Sequence, residues 1–154
     1  MISPPVTITT TAQPAAVIRL TIPRDQIQHV MGPAIQEVMQ AVAIQNLTPA
    51  GPVFSRHFDM QPDTFDFEVG VPIQGEFTPV GRAYPSELPA ATVLQTVYSG
   101  PYEGLGEGWE EFMGWIGDQG HITANGLWER YVTGPETSPD PADWRTELNK
   151  PLPA

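Results

Sequence analysis

The sequence predicts an α+β domain in which a strand–helix–strand–strand unit occurs twice. The tripeptide Pro14-Ala15-Ala16 returns as Pro89-Ala90-Ala91, and a β-branched run typical of a strand follows each copy. An apolar helical face comes next in both halves, with its residues at positions i, i+3, i+4 and i+7. Each half then continues with a turn and two further strands. Three matched features in the same order indicate an internal duplication rather than coincidence.

The elements of the first half follow from these patterns in chain order. Residues 17–22 form the first predicted strand. A helix follows, because one apolar face combines Ile35, Val38, Met39 and Val42. After a turn at residues 49–51, strands at 53–58 and 66–73 complete the half.

The second half repeats this order, with a strand at 92–98, a turn at 124–126 and strands at 127–133 and 143–148. Its helix has the apolar face Trp109, Phe112, Met113 and Ile116.

The glycine-rich segment 100–108 at the start of the second helix contains glycines at the density of a phosphate-binding loop. No lysine follows these glycines, and four glutamates lie within the segment or just after it: Glu103, Glu107, Glu110 and Glu111. The glutamates would repel phosphate, whereas they suit the positive end of a helix dipole. The segment is therefore expected to begin a helix and not to bind a nucleotide.

Neither half could bury its helix alone, so the two copies are expected to pack together. They would form a pseudo-two-fold, mostly antiparallel sheet with two main helices on one face and a pocket between the repeats. We expect a single domain over residues 1–154, with repeat one over about 5–75 and repeat two over about 78–152.

The composition excludes several classes of function. Seven basic residues stand against eighteen acidic ones, giving a formal net charge of −11, which disfavours nucleic acid and anionic membranes as partners. No apolar run has the length of a membrane span and no signal peptide is evident, so a cytoplasmic location is expected. The chain has no cysteine, and its three histidines are far apart. We therefore expect neither a metal site nor a cofactor.

One carboxylate has a sequence environment that suggests binding. Strand alternation puts Leu127, Glu129 and Tyr131 on one face, so Glu129 points inward if Leu127 faces the helices. An ionised carboxylate out of water is costly unless it is paired, and a cationic ligand near aromatic rings would supply the missing charge. Two alternatives stay open from the residues alone: Glu129 points to solvent, or it pairs with Arg145. The aromatic stripe of the second helix can equally be core.

Two groups of polar residues are expected at the surface. His57 follows Arg56 and is expected to be exposed at the surface, with a position at the mouth of the pocket as the alternative. Asp63, Asp66 and Glu68 alternate along a strand and are expected to form an acidic outer face rather than a carboxylate pair for hydrolysis.

Five short motifs, taken in order, resemble the GyrI-like small-molecule-binding domain. The same domain is the effector-binding domain at the end of multidrug-responsive transcription activators. The motifs are Leu88-Pro89-Ala90, Ser99-Gly100-Pro101-Tyr102-Glu103-Gly104-Leu105, Trp115-Ile116, Trp128-Glu129-Arg130-Tyr131 and Trp144-Arg145-Thr146-Glu147-Leu148. The resemblance implies a pocket for bulky, hydrophobic, often cationic compounds, with a glutamate at its base in the position of Glu129. It also implies a bacterial, stand-alone form without the companion DNA-binding domain.

The predicted function is binding of such compounds for drug or toxin sensing or for sequestration. The predicted ligand-binding residues are Glu129, Tyr131, Trp109, Phe112, Tyr102 and, from the first half, Phe54. One alternative is a hydrolase that opens strained cyclopropane-bearing natural products, with Glu129 and Tyr131 as catalytic residues. A second alternative is a protein-interaction module similar to gyrase inhibitors, which would use the acidic outer face. A protein partner or a homodimer is left open.

Overall fold

The helices and strands follow one another in the order that the repeat predicts, with one additional strand in each half. The computed structural model of the chain describes residues 2–60 and 62–153. The elements are β1 (Val6–Thr9), β2 (Gln13–Pro23), α1 (Ile27–Ile44), β3 (Phe54–Met60), β4 (Thr64–Pro72), β5 (Tyr84–Leu88), β6 (Thr92–Ser99), α2 (Leu105–Asp118), β7 (Leu127–Thr133) and β8 (Arg145–Pro151). Neither α1 nor α2 has both the length and the apolar character that a membrane-crossing helix needs.

The chain divides into two units. We call Thr11–Ala90 the N-unit and residues 1–10 together with 91–154 the C-unit. In the N-unit the strands lie in the order β3-β4-β2-β5, and all the described pairings are antiparallel. The apolar face of α1, including Val38 and Val42, packs on Ile18 of β2 and on Phe67 and Val69 of β4. This face of the sheet and α1 together form the core of the N-unit.

The C-unit has the equivalent order β1-β6-β8-β7, again with antiparallel pairings. Phe112 and Ile116 of α2 pack on Leu94 of β6 and Leu148 of β8. The α+β class, the antiparallel pairing and the duplicated order predicted from the sequence are confirmed.

The two additional strands, β1 and β5, lie in segments rich in proline. Pro4 and Pro5 precede β1, and Pro85 lies inside β5. Proline lacks a donor for the strand ladder and marks turns, so these segments do not have the pattern of strands. In the structure β1 pairs with β6 and β5 pairs with β2, which completes four strands in each unit.

The glycine-rich segment makes room for a tyrosine. Tyr98 of β6 is buried, and its hydroxyl donates a hydrogen bond to the carbonyl oxygen of Pro101 at 2.8 Å. A Cβ atom on Gly104 would lie 2.1 Å from the Tyr98 Oη, and one on Gly108 would lie 2.8 Å from its Cδ1. The two glycines are four residues apart on one side of the helical segment, so they provide the flat surface on which the ring lies.

Candidate functional site

Glu129 lies on the face of β7 that is covered by α2. It pairs in register with Leu148, which belongs to the core under that helix, and only 8% of its surface is exposed. The inward orientation that strand alternation predicted is confirmed, and the alternative in which Glu129 points to solvent is wrong.

Two aromatic side chains hold the Glu129 carboxylate. The Trp109 Nε1 of α2 donates to Oε2 at 2.6 Å, and the Tyr131 hydroxyl donates to Oε1 at 2.8 Å. Hydrogen bonds to a charged acceptor are stronger than neutral ones, so these two bonds fix the position of the carboxylate. Arg145 does not supply a countercharge, because its guanidinium donates to the carbonyl oxygens of Ala142 and Trp144. The predicted Glu129–Arg145 pair is therefore wrong.

A row of aromatic rings continues outward from Tyr131. The ring of Tyr102 meets that of Tyr131 edge to face at 5.8 Å, and it lies 5.0 Å from the ring of Trp144. On the other side of the carboxylate, the rings of Trp109 and Phe112 are 5.7 Å apart. The C-unit therefore brings together five of the six predicted binding residues. Trp144 joins them, although its spacing along the chain did not place it there.

Backbone packing holds Tyr102 in this row. A Cβ on Gly134 would lie 2.5 Å from the Tyr102 hydroxyl oxygen, so glycine at that point leaves space for the hydroxyl. Burial, and after it the nearby charge of Glu136, raises the pKa of Tyr102. Both effects disfavour the phenolate, so Tyr102 presents a neutral ring and hydroxyl.

The sixth predicted residue, Phe54, belongs to the N-unit. It begins β3, pairs in register with Gly70 of β4 and is buried. Its contribution to ligand binding stays a prediction.

His57 is buried rather than exposed, so the surface position expected for it is wrong. It pairs in register with Phe67 and therefore shares the face of the sheet that α1 covers. Its ring stacks on Phe67 at 4.9 Å and meets the edge of Phe65 at 5.1 Å, leaving 5% of the residue exposed. Burial, followed by the charge of Arg24, lowers the pKa of His57 to about 4. The imidazole is thus neutral at physiological pH.

The acidic outer face predicted around Glu68 is also partly wrong. Asp66 is accessible and pairs with Arg19 at 2.8 Å, but Glu68 is only 4% exposed. Its carboxylate accepts hydrogen bonds from the hydroxyl groups of Tyr84 and Ser86. Burial, and next the bond to Glu68, raises the pKa of Tyr84 to about 12. Both donors lie on β5, the strand that the sequence did not predict, so no sequence signal could have placed them beside Glu68.

Within residues 2–60 and 62–153, no three His, Asp or Glu side chains gather closely enough to hold a metal ion.

Several solved structures share this fold at low sequence identity. The C-terminal domain of EcmrR has a TM-score of 0.84 and 21% identity, over 96% of both chains. In the EcmrR–DNA complex the match has a TM-score of 0.83, and the chain spans only 56% of the EcmrR chain. SAV2435 bound to tetraphenylphosphonium has a TM-score of 0.70 and 14% identity, over 99% of this chain and 95% of that one. A hydrolase from Listeria innocua has a TM-score of 0.62 and 11% identity, over 96% and 90%.

At these identities the likeness to solved structures shows the fold alone. A comparison with curated proteins finds no match to the chain. The family itself is shown by a separate match, in which the model of the GyrI-like small molecule binding domain covers residues 4–153. Because that match spans nearly the whole chain, and the fold agrees with it, the chain belongs to the family of GyrI-like small-molecule-binding domains.

Proposed function

We propose that the chain binds bulky hydrophobic molecules that carry a positive charge, at Glu129 and the aromatic rings around it. The observation that carries the proposal is a carboxylate only 8% exposed and held by Trp109 Nε1 and the Tyr131 hydroxyl. Burying that charge costs several kcal/mol, and a cationic ligand offsets the cost. Membership in a small-molecule-binding family supports the same role.

The surroundings of Glu129 suit a large cation better than a small one. Tyr102, Tyr131 and Trp144 offer adjacent rings, and each ring face that meets a cation contributes roughly 0.5–2 kcal/mol. The net charge of −11 also raises the local concentration of cations around the protein. A fixed charge with several ring surfaces can accept compounds of different shape, which fits a role in sensing or sequestering drugs and toxins.

Replacing Glu129 with glutamine is expected to weaken binding of tetraphenylphosphonium at least tenfold, or about 1.4 kcal/mol, because it removes the charge and keeps the shape. Tetraphenylphosphonium is a suitable probe because SAV2435 has been solved with it. Binding can be measured by titration calorimetry and by quenching of tryptophan fluorescence.

The matched control is Glu110→Gln, which removes one charge from an exposed position of α2. It is expected to change the affinity less than twofold, since charges at the surface are screened. Triphenylphosphine oxide, a neutral compound of similar bulk, should bind both variants equally. An equal loss in the two variants, or none in Glu129→Gln, would contradict the proposed role of Glu129.

A second candidate function is hydrolysis of cyclopropane-bearing compounds at the same residues. The hydrogen bond between Tyr131 and Glu129 at 2.8 Å favours it, because ring opening by water needs a proton donor and a group that positions water. Incubation with a large excess of such a compound separates the two functions. A hydrolase would convert many equivalents and lose that conversion in Tyr131→Phe, whereas a binding protein would take up one equivalent and release it unchanged.

A further inference from the structure

A threonine hydroxyl is buried without a partner beside Glu129. Thr146 of β8 is 0% exposed, and no group in the part of the chain that the structure describes hydrogen-bonds its Oγ1. Its cross-strand neighbours in register are Tyr98 on β6 and Tyr131 on β7. Thr146 is thus a short side chain between two tyrosines, on the side of the sheet that α2 covers.

A second buried threonine shows what a satisfied hydroxyl in this sheet looks like. Thr96 of β6 pairs in register with Leu148 and lies on the same face of the sheet. Its Oγ1 donates to the Ser3 carbonyl oxygen at 2.5 Å. A buried hydroxyl without such a bond destabilises the folded protein, whereas valine would have almost the same shape without the unpaired group. The hydroxyl of Thr146 therefore needs an explanation outside the fold.

The position of Thr146 relates it to the candidate site. Directly opposed residues of an antiparallel pair have Cβ atoms roughly 5 Å apart, so the side chains of Thr146 and Tyr131 are neighbours. The hydroxyl of Tyr131 is one of the two donors to Glu129. Thr146 is covered in this structure, so a molecule bound at Glu129 reaches its hydroxyl only when the neighbouring Tyr131 ring moves aside.

We propose that Thr146 determines specificity by hydrogen-bonding a neutral oxygen group, such as a hydroxyl, ether or carbonyl, of the bound molecule. The preferred ligand is then an aromatic cation that also carries such an oxygen. This inference rests on the proposed function, and it adds a second recognised group to the positive charge. The hydrogen bond would form away from bulk water, so a ligand that lacks the oxygen leaves Thr146 unsatisfied and binds less tightly.

Two probes that differ by one hydroxyl test the inference: phenyltrimethylammonium and (3-hydroxyphenyl)trimethylammonium. The unmodified chain is expected to bind the hydroxylated cation about tenfold more tightly. Thr146→Val should abolish that preference, whereas Thr146→Ser, which restores a hydroxyl, should retain it. Thr96→Val should also retain it, and Glu129→Gln should weaken both cations alike. Equal affinities in the unmodified chain, or a preference that survives in Thr146→Val, would overturn the inference.

Urea denaturation without any ligand gives an independent test. Thr146→Val is expected to unfold at the same or a higher urea concentration than the unmodified chain, and Thr96→Val at a lower one. A Thr146→Val variant that loses as much stability as Thr96→Val would show that the hydroxyl is already satisfied inside the folded protein, and would overturn the inference. If neither cation binds at all, the proposed function itself fails. If both bind with equal affinity, only the role of Thr146 fails.

Discussion

Replacing Gly104 with alanine is expected to lower the free energy of unfolding by about 3 kcal/mol, the upper range for overpacking a well-filled core. The new Cβ would lie 2.1 Å from the Tyr98 hydroxyl oxygen. The ring cannot move aside cheaply, because it is buried on Gly108 and its hydroxyl donates to the Pro101 carbonyl oxygen. The backbone at Gly104 has φ −89° and ψ 0°, a negative φ that residues other than glycine can adopt, so most of the effect comes from the contact with Tyr98.

Urea denaturation followed by circular dichroism measures this change. The matched control is Gly106→Ala, since a Cβ at Gly106 would meet nothing within 4 Å. That variant is expected to be more stable than the unmodified chain by up to about 1 kcal/mol, because alanine favours a helix more than glycine does. Adding Tyr98→Phe to Gly104→Ala should recover part of the loss, since it removes the atom nearest to the new methyl group. Equal stability of the two alanine variants would refute this packing.

The fold was predictable where the spacing of hydrophobic residues along the sequence determines the type of element. The apolar faces of α1 and α2 and the alternation of the strands are local patterns, and the structure confirms them. β1 and β5 were not predictable, because Pro5 and Pro85 give their segments the character of loops. Each is held as a strand by its neighbour, β6 or β2, so the information lies in tertiary pairing and not in the segment itself.

The candidate site was also predictable only in part, because alternation along a strand can be read from the sequence and strand register cannot. The inward direction of Glu129 follows from its place two residues after Leu127, which alternation alone supplies. The partners of a side chain across a sheet depend on strand register, which the sequence does not give. Thr146 opposite Tyr131 and His57 opposite Phe67 are both of this kind. Alternation along β4 puts Phe67 in the core and Glu68 on the opposite face, and Glu68 is buried there because Tyr84 and Ser86 of β5 bind its carboxylate.

The loss of stability in acid is expected to depend strongly on His57. Burial between Phe65 and Phe67 lowers its pKa from 6.5 to about 4 in the folded protein. Between these two values the unfolded chain binds a proton at this residue and the folded chain does not. The contribution of neutral His57 to the free energy of unfolding is therefore fully present above pH 6.5. It declines as the pH falls and is lost below about pH 4. The difference of about 2.5 pH units corresponds to about 3 kcal/mol.

Free energies of unfolding measured in urea between about pH 7 and pH 4 test this expectation. The free energy of unfolding of the unmodified chain, relative to that of His57→Gln, should fall by about 3 kcal/mol from pH 7 to pH 4, because glutamine does not titrate. His29→Gln, which removes a histidine from an exposed position on α1, is the matched control and should run parallel to the unmodified chain. Observing the His57 imidazole directly by NMR separates its titration from that of the carboxylates. Parallel curves for all three proteins, or a His57 imidazole that titrates near pH 6.5 while the chain is folded, would show that the ring is not held in this apolar environment.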